Sequence, residues 1–138
     1  MSCAFAIAPV AAYLVAGGLK FLLNFLAVGR GAIGRIGLGG FPSTHTAIVT
    51  SGGFSVLLSD WKSPTAALAV AICLVVIIDA MDLRNRIGRI ARTVNQLSMH
   101  AEGGDSVQLR ERNGHTPLEV LGGAVVGFLV AITAVHVS

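Results

Sequence analysis

Long apolar runs separated by short polar segments dominate this sequence. The runs cover about residues 4–28, 43–59, 65–82 and 117–137. Since roughly 20 apolar residues in a helix cross the hydrocarbon core of a bilayer, the pattern predicts an all-α, polytopic membrane helix bundle with about four transmembrane helices. We expect it to form a single membrane domain over residues 1–138.

A helix of a different kind is predicted between the third and fourth apolar runs, over residues 84–100. Its apolar residues recur at helical spacing and are Ile87, Ile90, Val94 and Leu97. Its arginines lie off that apolar stripe and are Arg86, Arg89 and Arg92. A helix with one apolar and one basic face is typical of the membrane surface, so we expect an amphipathic surface helix here.

The composition supports membrane insertion and argues against nucleic-acid binding. Apolar residues make up 54% of the chain and charged residues 12%, with a mean hydropathy of +0.76. Soluble domains average about 25% charged residues. No aromatic residues alternate with the arginines to form a base-stacking platform, and we expect no nucleic-acid partner.

The charge distribution predicts the orientation in the membrane. With four spans, residues 29–42 and 83–116 form loops on one side, and these loops contain all eight arginines. The turn on the other side carries Lys62. The positive-inside rule therefore predicts that both loops are cytoplasmic and both termini lie on the opposite side. His45 and His115 then face the same side, each at the amino-terminal end of a helix.

These two helix starts contain residues suited to phosphate chemistry. Pro42 favours a helix start, which Ser43 or Thr44 can cap, and unpaired amides at such a start attract anions. His115 and Glu119 are four residues apart and share a helical face, so the carboxylate can orient the imidazole. His45 can donate a proton to a leaving oxygen.

Other interpretations of the same residues remain open. Asp79 and Asp82 end the third run, where they either pair with the following arginines or bind a divalent cation such as Mg²⁺. Lys20 is either an anion ligand or a side chain that extends to the membrane surface. A non-catalytic scaffold that binds anionic lipids through its basic face is a further alternative, and each histidine can also be a simple helix-end residue.

Three stretches resemble a known family. Pro42-Ser43-Thr44-His45 is similar to the Pro-Ser-Gly-His motif of the type 2 phosphatidic acid phosphatase and vanadium haloperoxidase superfamily. Residues 114–120, Gly-His-Thr-Pro-Leu-Glu-Val, resemble the third motif of its small divergent membrane branch, labelled acid phosphatase/vanadium-dependent haloperoxidase-related. Asp79-Ala80 and Arg84 resemble the middle of that branch. The resemblance covers about residues 17–128.

The sequence also departs from the superfamily pattern. Thr44 stands where glycine is usual, and Glu119 where aspartate is usual. The first superfamily motif, a lysine followed six residues later by Arg-Pro, is missing, and Leu109 occupies the position of a further arginine. The phosphate cradle must therefore be built differently.

The resemblance implies a membrane phosphatase that hydrolyses a lipid phosphate monoester or diphosphate, isoprenoid or glycerolipid. The arginine distribution predicts that this reaction takes place at the cytoplasmic interface. The resemblance also implies that His115 is the nucleophile, Glu119 its orienting partner and His45 the general acid. Phosphate-binding roles would fall to Ser43, Thr44, Lys20, Arg84, Arg110 and Arg112. No cofactor is expected on this mechanism, Mg²⁺ belongs to the carboxylate alternative, and the many glycines are compatible with a homodimer.

Overall fold

The computed structural model describes residues 4–29, 40–99, 108–111 and 113–137, and this part of the chain is helical without any strand. The predicted all-α class is therefore confirmed. The helices are α1 (Ala4–Val28), α2 (Thr44–Asp60), α3 (Pro64–Ile78), α4 (Arg84–Met99) and α5 (Pro117–His136), with a π-helical turn at Asp79–Leu83.

Three helices in the described residues are long and apolar enough to cross a membrane. They are Phe5–Ala27, the continuous helix Pro64–Met99, and Pro117–His136. This protein is accordingly an integral membrane protein. The helix α2, with 17 residues, is not one of the three, so its crossing of the membrane stays a prediction.

The helix α2 lies at the centre of the bundle, where it packs against α1, α3 and α5. Its buried positions are all small: Thr46, Ala47, Thr50, Ser51, Gly53 and Ser55. The hydroxyls are satisfied within the helix, since Thr50 donates to the Thr46 carbonyl at 2.6 Å and Ser55 to the Ser51 carbonyl at 2.8 Å. Small residues let helices approach closely in a membrane, which explains how a helix with so many hydroxyls becomes the central one.

Glycines on α5 provide the matching surface. A Cβ atom added to Gly123 would lie 2.9 Å from the Thr46 Cβ, and one added to Gly127 would lie 2.7 Å from the Ala47 carbonyl oxygen. Because the two glycines are four residues apart, they share one face of α5. That face lies directly against the backbone of α2.

The rest of the core follows the same small-residue pattern. Ala8, Ala12 and Ala16 on α1 are fully buried at four-residue intervals, and the last two form a cluster with Ala47. Most large apolar side chains of the bundle are exposed instead. This arrangement suits a protein surrounded by hydrocarbon, in which close packing of small residues holds the helices together.

The predicted amphipathic helix is present but is not a separate element. Residues 84–99 are helical, as expected, and continue directly from α3 through the π-helical turn. The residues of the apolar stripe are exposed, with Ile90 at 63% and Leu97 at 67%. Their contact with the membrane surface stays a prediction, as do the single domain over residues 1–138 and the homodimer. The loop predicted at 29–42 lies largely outside the described residues.

Candidate functional site

Ser43 forms the start of α2. Its side chain accepts hydrogen bonds from the Thr46 amide at 3.3 Å and from the Thr46 hydroxyl at 3.0 Å. Of the two predicted caps, Ser43 is therefore the one observed, and it is fully buried. Thr44 is the first residue of the helix and is half-buried. The Ser43 hydroxyl thus holds the helix end together.

Thr116 and Glu119 form a reciprocal cap at the start of α5. The Thr116 amide donates to the Glu119 carboxylate at 2.9 Å, and the Glu119 amide donates to the Thr116 hydroxyl at 3.3 Å. Pro117 occupies the first turn, where its missing N–H costs nothing. Such a cap fixes where the helix begins, and hence where His115 is placed.

A main-chain hydrogen bond joins the two helix starts. The Ser43 amide donates to the Glu119 carbonyl at 2.8 Å. The imidazole rings of His45 and His115 then meet edge to face, with centroids 5.9 Å apart and planes at 77°. The two sequence motifs therefore converge as predicted.

The backbone of His115 is held on both sides while its ring is left unpaired. Its amide donates to the Ala80 carbonyl at 3.1 Å, and its carbonyl accepts from the Asn85 side chain at 3.3 Å. Only 6% of His115 is exposed, yet both ring nitrogens are without a hydrogen-bond partner among the described residues. Buried polar atoms are normally paired, so this ring is well placed to receive a ligand.

Burial lowers the pKa of His115 below its usual value. The positive charges of Lys20 and Arg84 and the neighbouring His45 act in the same direction, whereas Glu119 raises this pKa. The net effect favours the neutral imidazole at neutral pH, which is the form that can attack phosphorus.

The π-helical turn brings Arg84 to this site. The Arg84 amide bonds to the Asp79 carbonyl, and the Arg84 side chain donates to the Asp79 carboxylate at 2.9 Å. Residues five apart lie about 140° apart around an α-helix, but a π-helix stacks them through its five-residue hydrogen bonds. The wider turn therefore makes this ion pair geometrically accessible.

The carboxylates of the alternative metal site are engaged by arginines. Asp79 pairs with Arg84, and Asp82 pairs with Arg86 at 2.8 Å. Among the described residues, no three His, Cys, Asp or Glu side chains are grouped as metal ligands. The observed geometry matches the ion-pair interpretation of these aspartates.

The remaining predicted residues are partly accounted for. Lys20 lies on α1 within electrostatic reach of both Glu119 and His115. The Glu119 carboxylate caps its own helix and does not bond to either ring nitrogen of His115. Its orienting role therefore stays a prediction. Arg110 is exposed in the segment that precedes His115. Arg112 lies outside the described residues.

Asn95 holds the segment that leads to His115. Its side chain donates to the Leu109 carbonyl and accepts from the Leu109 amide, both at 2.8 Å. It also donates to Glu111 at 3.0 Å, and Arg92 donates to the same carboxylate at 3.1 Å. The two hydrogen bonds to the Glu111 carboxylate lower its pKa, and the one from Asn95 has the larger effect. One of the predicted surface arginines is thus used to anchor this segment.

Sequence reasoning missed two supporting residues, Asn85 and Asn95. Each lies among the other polar residues of α4 and belongs to no recognised pattern. One signal was present for Asn85, because Gly114 precedes the histidine: a Cβ there would lie 2.7 Å from the Asn85 amide nitrogen.

Comparison with known proteins finds a family and one relative that this chain resembles. Residues 2–130 match the family described as the divergent PAP2 family. The chain is also similar to the uncharacterized membrane protein YuiD of Bacillus subtilis (strain 168), with 27% identity over 113 residues. That alignment covers 71% of this chain and 72% of the relative. No solved structure shows a significant match.

Proposed function

Because this chain belongs to the divergent PAP2 family, we propose that it is a membrane phosphatase that hydrolyses a lipid phosphate through a histidine nucleophile. One observation carries the proposal: buried His115 has two unpaired ring nitrogens and lies 5.9 Å from His45, centroid to centroid. A helix-end histidine with a purely structural role would be expected to use a ring nitrogen in a hydrogen bond.

The proposed reaction has two steps. A ring nitrogen of His115 attacks phosphorus, and the bond to the leaving oxygen breaks while His45 gives that oxygen a proton. Water then attacks the phosphohistidine, His45 takes the water proton, and the phosphorus–nitrogen bond breaks to release phosphate. The positive charges of Lys20 and Arg84 stabilise the phosphoryl oxygens during both steps.

The substrate class follows from the position of the site. The two histidines lie at one end of helices that are otherwise surrounded by apolar side chains. A phosphate held there would belong to a molecule whose remainder lies in the membrane, such as an isoprenoid or glycerolipid monoester or diphosphate. The arginine-rich loops favour the cytoplasmic side for this reaction.

Phosphate release by the purified protein in detergent tests this function. We expect turnover of lipid phosphates that survives EDTA. Loss of the nucleophile in His115→Ala should lower kcat/KM by at least about 10⁴-fold. Loss of the acid in His45→Ala should lower it by roughly 10²–10⁴-fold.

His136→Ala is the matched control, because His136 is exposed at the far end of α5. It should retain wild-type activity. Activity abolished by EDTA and restored by Mg²⁺ would move the chemistry to Asp79 and Asp82. Folded protein that binds anionic vesicles but releases no phosphate would favour the scaffold alternative, which the exposed Arg86 and Arg89 on α4 support.

A further inference from the structure

An apolar groove starts at the candidate site and runs along the bundle. It has a volume of about 540 Å³ and lies between α1, α2 and α3. Its lining includes Pro9 from α1, His45, Gly52 and Val56 from α2, and Ile72 and Val76 from α3. Apart from His45 at one end, the residues that line it are apolar or glycine.

The groove follows much of the length of α2. From His45 to Val56 it follows α2 for eleven residues, which corresponds to about 16 Å at the rise of an α-helix. The wall is apolar or glycine over this length and has His45 at one end. The groove therefore suits a hydrocarbon chain that is attached to a phosphate at His45.

We propose that this groove binds one hydrocarbon chain of the phosphate substrate, with the phosphate at His45 and His115. The proposal rests on the proposed function and narrows its substrate to an amphiphile that inserts a single chain between α1 and α3. An extended chain with carbon–carbon bonds of about 1.5 Å fills the groove with roughly twelve carbons. Longer chains would extend beyond Val56 into the bilayer.

Glycines on α2 leave room for the chain. A Cβ at Gly52 would meet only the Pro9 ring, at 3.5 Å, so a methyl group is tolerated there but a larger side chain would enter the groove. Gly53 is different, because a Cβ there would lie 2.6 Å from the Cys73 sulfur. Gly52 is therefore the position at which the groove can be shortened without forcing α2 and α3 apart.

A chain-length series tests the proposal. The full-length protein in lipid nanodiscs is assayed with butyl, octyl, dodecyl and hexadecyl phosphate. With the substrate concentration expressed per bilayer lipid, we expect kcat/KM to rise with chain length and to level off near dodecyl phosphate, where the chain fills the groove. In Gly52→Leu the plateau should move to a shorter chain, with turnover of butyl phosphate within about twofold of wild type.

Gly18→Leu is the matched control, because a Cβ at Gly18 meets nothing within 4 Å. It should leave the chain-length profile unchanged. A second measurement on the wild-type protein needs no catalysis: a dodecyl phosphonate with a photoreactive terminal group should label residues around Val56, and unlabelled dodecyl phosphonate should compete.

The outcomes separate the two proposals. A flat chain-length profile with scattered labelling would overturn the groove and leave the phosphatase standing. Labelling confined to the groove without hydrolysis of any ester would support the groove and overturn the phosphatase. Scattered labelling without hydrolysis would overturn both.

Discussion

At the scale of residues, the candidate site depends on main-chain contacts more than on paired side chains. The amide of His115 is held by Ala80 and its carbonyl by Asn85, so the ring is positioned without using either ring nitrogen. The two histidines and the cap at Ser43 were recognisable in the sequence because each has a local signature. The role of the Ala80 carbonyl could not be recognised in the sequence. Every residue has a main-chain carbonyl, and only the folded structure shows which one binds the His115 amide.

The Glu119 carboxylate accepts a hydrogen bond at the start of α5 and carries a charge that acts on His115. Substitution by glutamine separates these two effects. Glutamine keeps an oxygen that can accept from the Thr116 amide but removes the charge that raises the pKa of His115. In Glu119→Gln the pKa of His115 should fall further. Since the neutral imidazole is the reactive form, the acidic limb of the kcat/KM profile should move to lower pH.

The pH–rate profile of the two proteins measures this shift. Glu119→Ala serves for comparison, because it also removes the hydrogen bond from the Thr116 amide to the Glu119 carboxylate and should lower the free energy of unfolding by about 0.5–1.5 kcal/mol. An acidic limb that moves to higher pH in Glu119→Gln would show that the carboxylate does not act on His115 in the way proposed.

At the scale of elements, the sequence predicted the apolar helices but not the course of the chain between α3 and α4. The sequence predicted a membrane span that ends at residue 82 and a separate amphipathic helix that begins at residue 84. Instead the helix continues, because its acidic and basic residues pair along its own surface, Asp79 with Arg84 and Asp82 with Arg86. The pattern of apolar residues does not predict such ion pairs. It also does not predict the π-helical turn that permits the pair between Asp79 and Arg84.

Because α2 and α5 are in close contact, we expect one methyl group added to α5 at Gly127 to lower the stability of the bundle. Gly127→Ala would place its Cβ 2.7 Å from the Ala47 carbonyl oxygen and 2.9 Å from the Ser51 amide nitrogen. Backbone atoms cannot move aside as a side-chain end can, so we expect destabilisation of about 1–3 kcal/mol. Thermal unfolding in detergent should show a lower midpoint.

Gly18→Ala is the corresponding change at an open position of α1. It should leave the midpoint unchanged or raise it slightly, because alanine favours helix by about 1 kcal/mol over glycine. Equal midpoints for Gly127→Ala and wild type would argue against the close α2–α5 contact.

At the scale of the whole molecule, the order of packing could not be read from hydropathy. The central helix α2 contains the hydroxyl-rich segment, and the more apolar α1 and α3 flank it. Hydropathy indicates how favourably a helix contacts lipid. The helix at the centre of this bundle is instead the one whose small residues let neighbouring backbones approach most closely. Its orientation in the membrane rests on the arginine distribution alone.

Cysteine labelling tests that orientation. In a background with Cys3 and Cys73 replaced by alanine, we expect Lys62→Cys to react with a membrane-impermeant maleimide in intact cells. Gln108→Cys should react only after permeabilisation, because its segment precedes His115 on the side predicted to be cytoplasmic. The reverse pattern of labelling would place the candidate site outside the cell.

The length of α2 matters for the surrounding lipid. With 17 residues, this helix reaches only about 25 Å at 1.5 Å per residue, against a hydrocarbon core of about 30 Å. If α2 crosses, the bilayer has to thin beside it, whereas the 25 residues of α1 and the continuous helix Pro64–Met99 are long enough to span it. Hydrophobic mismatch would then draw lipid headgroups inward on the flank of the bundle that carries His45.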